Sequence, residues 1–177
     1  MNKKFKIFII LAMLTSLAYV SVLFVRVPFP AASFLTYDPK DVFIIIGGFL
    51  YGPLAVLPMS AALSLLEMPL SGTGIIGLLM NMLSTCSLAF TAALIYKIRR
   101  TLFGAASGLF LGVIIMTGVM LLWNYIVTPG YMGVPREMVV NMLLPVFLPF
   151  NLLKGVYNTA ITMLVYKRIS KILNKIK

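Results

Sequence analysis

Asn151, Lys154 and Asn158 interrupt an otherwise apolar run near the C-terminus, and their spacing decides what chemistry they can share. At 100° per residue they fall within roughly 60° of one another on a helix, so one ammonium and two amides share a face. Amides donate and accept hydrogen bonds and an ammonium only donates, so this face is where a ligand is expected. Asn81 and Asn124 stand in other apolar runs, and the acidic residues are Asp38, Asp41, Glu67 and Glu137. With no histidine, zincin motifs and imidazole acid/base relays are excluded, and the residues favour binding over catalysis. The single cysteine, Cys86, can make no internal disulfide or cysteine-based metal framework. The run from Gly72 to Gly77 fits a dinucleotide fingerprint, but it links two apolar runs without the strand and acidic residue such a site needs, so it reads as a turn. There is no Walker A sequence, and hence no P-loop ATP hydrolysis by this chain itself.

The elements that must position these side chains are membrane helices. The 177 residues are 61% hydrophobic and only 11% charged, with a mean hydropathy of +1.04, which suits a single all-α integral membrane domain of five or six helices over 1–177. A formal charge of +11 could suggest nucleic acid, but its placement argues otherwise. Lys3, Lys4 and Lys6 precede the first apolar run, Lys97, Arg99 and Arg100 sit in a central loop, and Lys167, Arg168, Lys171, Lys175 and Lys177 close the sequence. By the positive-inside rule these clusters mark cytoplasmic ends, with both termini inside. Apolar runs at about 7–25, 42–66, 74–96, 105–127 and 138–166 would give five crossings and put one terminal cluster outside. Splitting the second at Tyr51-Gly52-Pro53 gives six, with Gly47, Gly48 and Pro58 as further breaks, and makes two short spans that must be tilted, bent or shielded. A signal peptide is the alternative for the N-terminus, since Ser16-Leu17-Ala18 resembles a cleavage site, but the apolar run continues through Val25.

Depth along these helices gathers the polar residues on one side. Lys154 lies thirteen residues from Lys167, roughly 20 Å at 1.5 Å per residue, in the outer half of a core about 30 Å thick. Asn124, Asn81 and Glu67 fall toward the same side, and Asp38 and Asp41 stand at the entrance to the second helix. The pattern is a pocket open to the exterior over an apolar floor. Each residue also has a plainer reading. Asp38 before Pro39 could cap a helix, with Asp41 favouring its dipole, and Lys154 could snorkel to the headgroups. Asn81 and Asn124 could be interhelical glue, and Trp123, Tyr125, Tyr131 and Tyr157 an interfacial belt.

Three segments carry a family resemblance: Phe34-Leu35-Thr36-Tyr37-Asp38-Pro39-Lys40-Asp41-Val42, Trp123-Asn124-Tyr125, and Pro149-Phe150-Asn151-Leu152-Leu153-Lys154-Gly155-Val156-Tyr157-Asn158. In these the chain resembles the riboflavin-specific substrate-binding (S) components of energy-coupling factor transporters, small six-helix proteins of the bacterial cell membrane. The resemblance implies high-affinity vitamin binding near the outer face and inward delivery with a transmembrane coupling protein and two cytoplasmic ATPases. It implies riboflavin as transported ligand, with no cofactor. With the residues' own chemistry it assigns Asn124, Asn151 and Lys154 to the polar floor or wall and Thr36, Tyr37 and Asp38 to a lid over Pro28–Asp38, with the Gly130–Glu137 loop as the rival lid. Asn81 and Asn158 support, as does Glu67, for which the family implies no role. Ala12 and Ser16 form a small-xxx-small pair on the first helix, and the family implies that such a pair docks the coupling protein. Competing readings are an S component for another vitamin, a stand-alone facilitator, and a small intramembrane enzyme using Glu67 or Asp38 with Lys154.

Overall fold

The computed structural model describes residues 2–175, with side chains through Tyr166, so the basic cluster from Lys167 to Lys177 lies outside the described side chains. Helix α1 (Lys3–Phe24) leads into a hairpin of β1 (Val27–Phe29) and β2 (Ala32–Tyr37), followed by α2 (Lys40–Tyr51), α3 (Pro53–Ser71), α4 (Gly74–Ile98) and α5 (Leu102–Met132). The last rod is α6 (Arg136–Met142), a π-helical turn (Leu143–Phe147) and α7 (Leu148–Lys175). Taken as one interrupted helix, that rod makes six. Five of the six are long and apolar enough to cross a bilayer, α2 being the exception. Large exposed side chains such as Phe8, Phe24, Phe103, Phe110 and Leu164 cover their outer surfaces, as lipid-facing residues do.

The second apolar run divides at the expected place. Gly52 has φ 95° and ψ 171°, a backbone state open essentially to glycine, and Pro53 opens α3 where its missing N–H is no loss. The 12 residues of α2 reach only about 18 Å, too short for a hydrocarbon core of about 30 Å. The fold resolves this by enclosing it. Val42, Ile44, Ile45 and Phe49 are all buried, and α1, α3, α4 and α7 surround the helix. Its neighbours approach closely because small residues let them. On α5, a Cβ at Gly108 or Gly112 would lie 2.8 or 2.7 Å from the carbonyl oxygens of Ala92 and Leu88, so α5 rides directly on the α4 backbone.

The structure corrects the wholly helical expectation in one place. The segment after α1 is a two-stranded antiparallel hairpin pairing Val27 with Tyr37, Pro28 with Thr36 and Phe29 with Ala32, with an irregularity between Pro28 and Phe29. Pro28 is tolerated because β1 is an edge strand, where a missing donor breaks no interior ladder. Aromatic side chains hold the hairpin against the last rod: Phe29 meets Phe150 edge-on at 5.5 Å, Phe34 meets Phe147 at 6.3 Å, and Tyr37 meets Tyr157 at 5.5 Å. At the opposite end Phe49, Tyr96 and Tyr166 cluster, with ring separations of 4.4 and 6.0 Å. Between the two ends Ile45, Leu88, Leu109 and Met116 fill the core. The cavity under the hairpin thus has the apolar floor that its polar residues implied.

Candidate functional site

The hairpin covers a cavity of about 190 Å³ between the start of α2, α3, α4, α5 and the π turn. Seven of the residues picked out in the sequence line it: Thr36, Asp38, Glu67, Asn81, Asn124, Asn151 and Lys154. Tyr37 and Asn158 do not. They stand behind this wall, where the Tyr37 hydroxyl donates to Asn158 Oδ1 at 3.3 Å. Phe34, Leu35, Met80, Met120, Phe147 and Phe150 supply an apolar wall able to sandwich a flat ring.

The charges pair inside the bundle. Lys40, only 2% exposed, donates to Glu67 Oε2, lies 3.5 Å from Asp38 Oδ2, and reaches Asn81 Oδ1 at 3.4 Å. Lys154 lies 3.7 Å from Asp41 Oδ2. Asp41 is fully buried and accepts hydrogen bonds from Thr85 Oγ1 at 2.7 Å and Asn158 Nδ2 at 3.1 Å. Buried ammoniums and carboxylates are tolerable only because each has a partner. Two acceptors are left over: Asp38 Oδ1 and Glu67 Oε1 are buried at the cavity without a hydrogen-bond partner among the described residues. Burial disfavours the Asp38 charge, but the ammoniums of Lys154 and Lys40 outweigh it and hold the carboxyl below its ordinary range. Burial, then the Asp38 and Asp41 carboxylates, push the Tyr37 hydroxyl up to about 12, so it remains a neutral donor.

Two plainer readings fail here. Asp38 does not cap α2: Pro39 occupies the N-cap without a side-chain bond, and Asp38 turns to Lys40 instead. Nor does Lys154 snorkel, because Asp41 holds it inside at 6% exposure. Asn124 and Asn151 each spend one N–H on their own helix, at 2.7 Å to Met120 O and 2.8 Å to Phe147 O, with further amide valences remaining for a ligand. The π turn contains Pro145, which cannot donate to an α-helical ladder, and the widened turn carries Phe147 into the cavity wall, with Phe150 and Asn151 in the next turn. The sequence reading missed Lys40 and Arg26 at the cavity. The 130–137 segment, a rival lid by sequence, is mostly helical and contributes nothing to the lining.

Comparison with known proteins gives this arrangement a family. Residues 6–166 match the family described as ECF transporter, substrate-specific component. The chain is 30% identical over 175 residues to the riboflavin transporter RibU of Staphylococcus aureus (strain TCH60), covering 95% of this chain and 92% of that one. It is 29% identical over 174 residues to the riboflavin transporter FmnP of Bacillus subtilis (strain 168), covering 92% and 91%. A solved structure of the S component of a bacterial ECF transporter superposes with a TM-score of 0.83 at 29% identity, covering 97% of this chain and 99% of that one. The chain belongs to the family of substrate-specific components of ECF transporters. It is therefore a multi-pass membrane transport component, and the intramembrane-enzyme reading falls with that assignment.

Proposed function

We propose that this chain is the high-affinity riboflavin-binding subunit of an ECF-type uptake transporter in a bacterial plasma membrane, with riboflavin as cargo rather than prosthetic group. The observation that carries this reading is the pair of unpartnered acceptors, Asp38 Oδ1 and Glu67 Oε1, in a cavity whose other wall is aromatic and apolar. Ribityl hydroxyls and the flavin imide N–H are donors for such oxygens, Lys154 and the amides suit the ring carbonyls and nitrogens, and Phe34, Phe147 and Phe150 flank a flat tricycle. The names of the full-length relatives favour riboflavin over other vitamins. Chain direction puts Lys3, Lys4, Lys6 and the Lys97–Arg100 loop at the end away from the hairpin. The positive-inside rule then makes that end cytoplasmic and the hairpin external, with both termini inside. A transmembrane coupling protein and two cytoplasmic ATPases would supply the energy this chain cannot. The test is equilibrium binding by the purified full-length protein: riboflavin fluorescence is expected to be quenched stoichiometrically, and absence of saturable binding would overturn the assignment.

The size of the cavity adds a prediction about motion. At about 190 Å³ it is smaller than the roughly 300–1,000 Å³ of typical small-molecule sites, so its walls must open to admit a flavin, and the hairpin that covers it is the segment expected to shift. Ser33 is exposed beside the hairpin turn and can carry a spin label. Riboflavin is expected to reduce the label's mobility, with no change at a label in the Lys97–Arg100 loop. Identical Ser33 spectra with and without saturating riboflavin would reduce the hairpin to a connector.

A further inference from the structure

Resting on the riboflavin-binding reading, we infer that Asp41 is a positioning residue for Lys154 and that Asn158 and Tyr37 extend its hold to the hairpin, making ligand affinity depend on how the hairpin docks. Asp41 lines no part of the cavity, yet its carboxylate joins three helices: it sits on α2, accepts from Thr85 on α4, and faces both Asn158 and Lys154 on α7. The two sides of this carboxylate do different things. Oδ1 is anchored by the Thr85 hydroxyl at 2.7 Å, while Oδ2 faces both the Asn158 amide at 3.1 Å and the Lys154 ammonium at 3.7 Å. Asn158 is wholly buried and uses its other end, Oδ1, to accept from the Tyr37 hydroxyl on β2.

A side-chain amide held at both ends cannot rotate without breaking one bond. Withdrawal of Tyr37 with the hairpin therefore frees Asn158 to turn away from Asp41, and the carboxylate that fixes Lys154 loses a donor. Conversely, a docked hairpin fixes the amide, the amide fixes the carboxylate, and the carboxylate holds the ammonium at the cavity wall. Tyr37 can serve as the outer link because its hydroxyl keeps its proton and donates to Asn158 Oδ1. A flexible lysine would otherwise lose rotamer freedom on meeting a ligand, and prior immobilisation removes that cost from binding. The hydroxyl of Tyr37 thus affects the ligand through three side chains, Asn158, Asp41 and Lys154, without lining the cavity.

The test is a double-mutant cycle on the full-length protein in nanodiscs, read by riboflavin fluorescence quenching. Tyr37→Phe removes only the hydroxyl and keeps the ring against Tyr157. It is expected to weaken riboflavin binding by roughly 3- to 10-fold, the worth of one hydrogen bond, mainly through faster dissociation. In a Lys154→Met background the same substitution is expected to change affinity less than 2-fold, because the ammonium it positions is gone. Equal fold-changes in both backgrounds, or no effect of Tyr37→Phe on the wild-type protein, would overturn the connection. Asn158→Leu, which cuts the series in the middle, provides a second background should Lys154→Met fail to fold, with the same loss of the Tyr37→Phe effect expected. Failure of the wild-type protein to bind riboflavin would instead remove the functional reading beneath it.

Discussion

Lys154→Ala is expected to lower riboflavin affinity by about 1.5–3 kcal/mol, a loss of roughly 10- to 150-fold, because a charge-assisted hydrogen bond to the ligand disappears. From the sequence alone the variant should otherwise remain intact. The structure adds a second effect. Lys154 is the ammonium nearest to Asp41, a carboxylate with no exposure, and removing one partner of a buried pair costs about 3–5 kcal/mol because the remaining charge stays buried. The variant should therefore melt well below the wild-type protein as well as bind poorly. The two effects can be separated. Lys154→Met combined with Asp41→Asn removes both charges, leaves an amide that can still bond Thr85 and Asn158, and should recover much of the lost stability without recovering affinity. Equal riboflavin affinity in wild type and Lys154→Ala would remove Lys154 from the site, whatever the melting temperatures show.

Side chains whose environment is local were legible in the sequence. The break at Gly52-Pro53 follows from glycine and proline backbone preferences, a property of adjacent residues, and from the order of basic clusters along the chain, which needs no tertiary contact. The shared face of Asn151, Lys154 and Asn158 follows from helical spacing, although that spacing could not separate residues lining the cavity from one standing behind them. Asn158 is four residues from Lys154 and one turn deeper, and only the packing of α2 against α7 turns it toward Asp41.

Lys40 was lost for the opposite reason. It lies between Asp38 and Asp41, where a charged residue at a helix start has an ordinary explanation in capping and dipole effects. Its closest partner, Glu67, is 27 residues away on α3. Nothing in the spacing announces such a pair, and only tertiary folding makes it. The hairpin was hidden by composition: two prolines in Pro28-Phe29-Pro30 and the small run Ala31-Ala32-Ser33 read as a stiff connector with a loose middle, and the strands lack a clean polar–apolar alternation. Their order comes from three aromatic contacts with the last rod, a long-range feature again.

The first helix offers the sharpest separation of binding from transport. Residues Thr15, Ala18 and Val22 of α1 are buried against the bundle, whereas Ala12 and Ser16 are exposed on another face beside Phe8, Met13, Leu17 and Val20. Internal packing therefore does not explain the small pair. The Ser16 hydroxyl is satisfied by Ala12 O at 2.9 Å, so the strip presents no unbonded side-chain donor and lets a partner helix approach closely. Ala12→Trp together with Ser16→Trp would fill that strip with two large rings far from the cavity. Riboflavin binding by the purified variant should match wild type within about 2-fold, since none of the cavity residues moves. Under the proposal that this face docks a coupling protein, uptake in cells should fall to the level of cells lacking the coupling module. Normal uptake and unchanged complex formation in the double variant would assign this face to lipid alone.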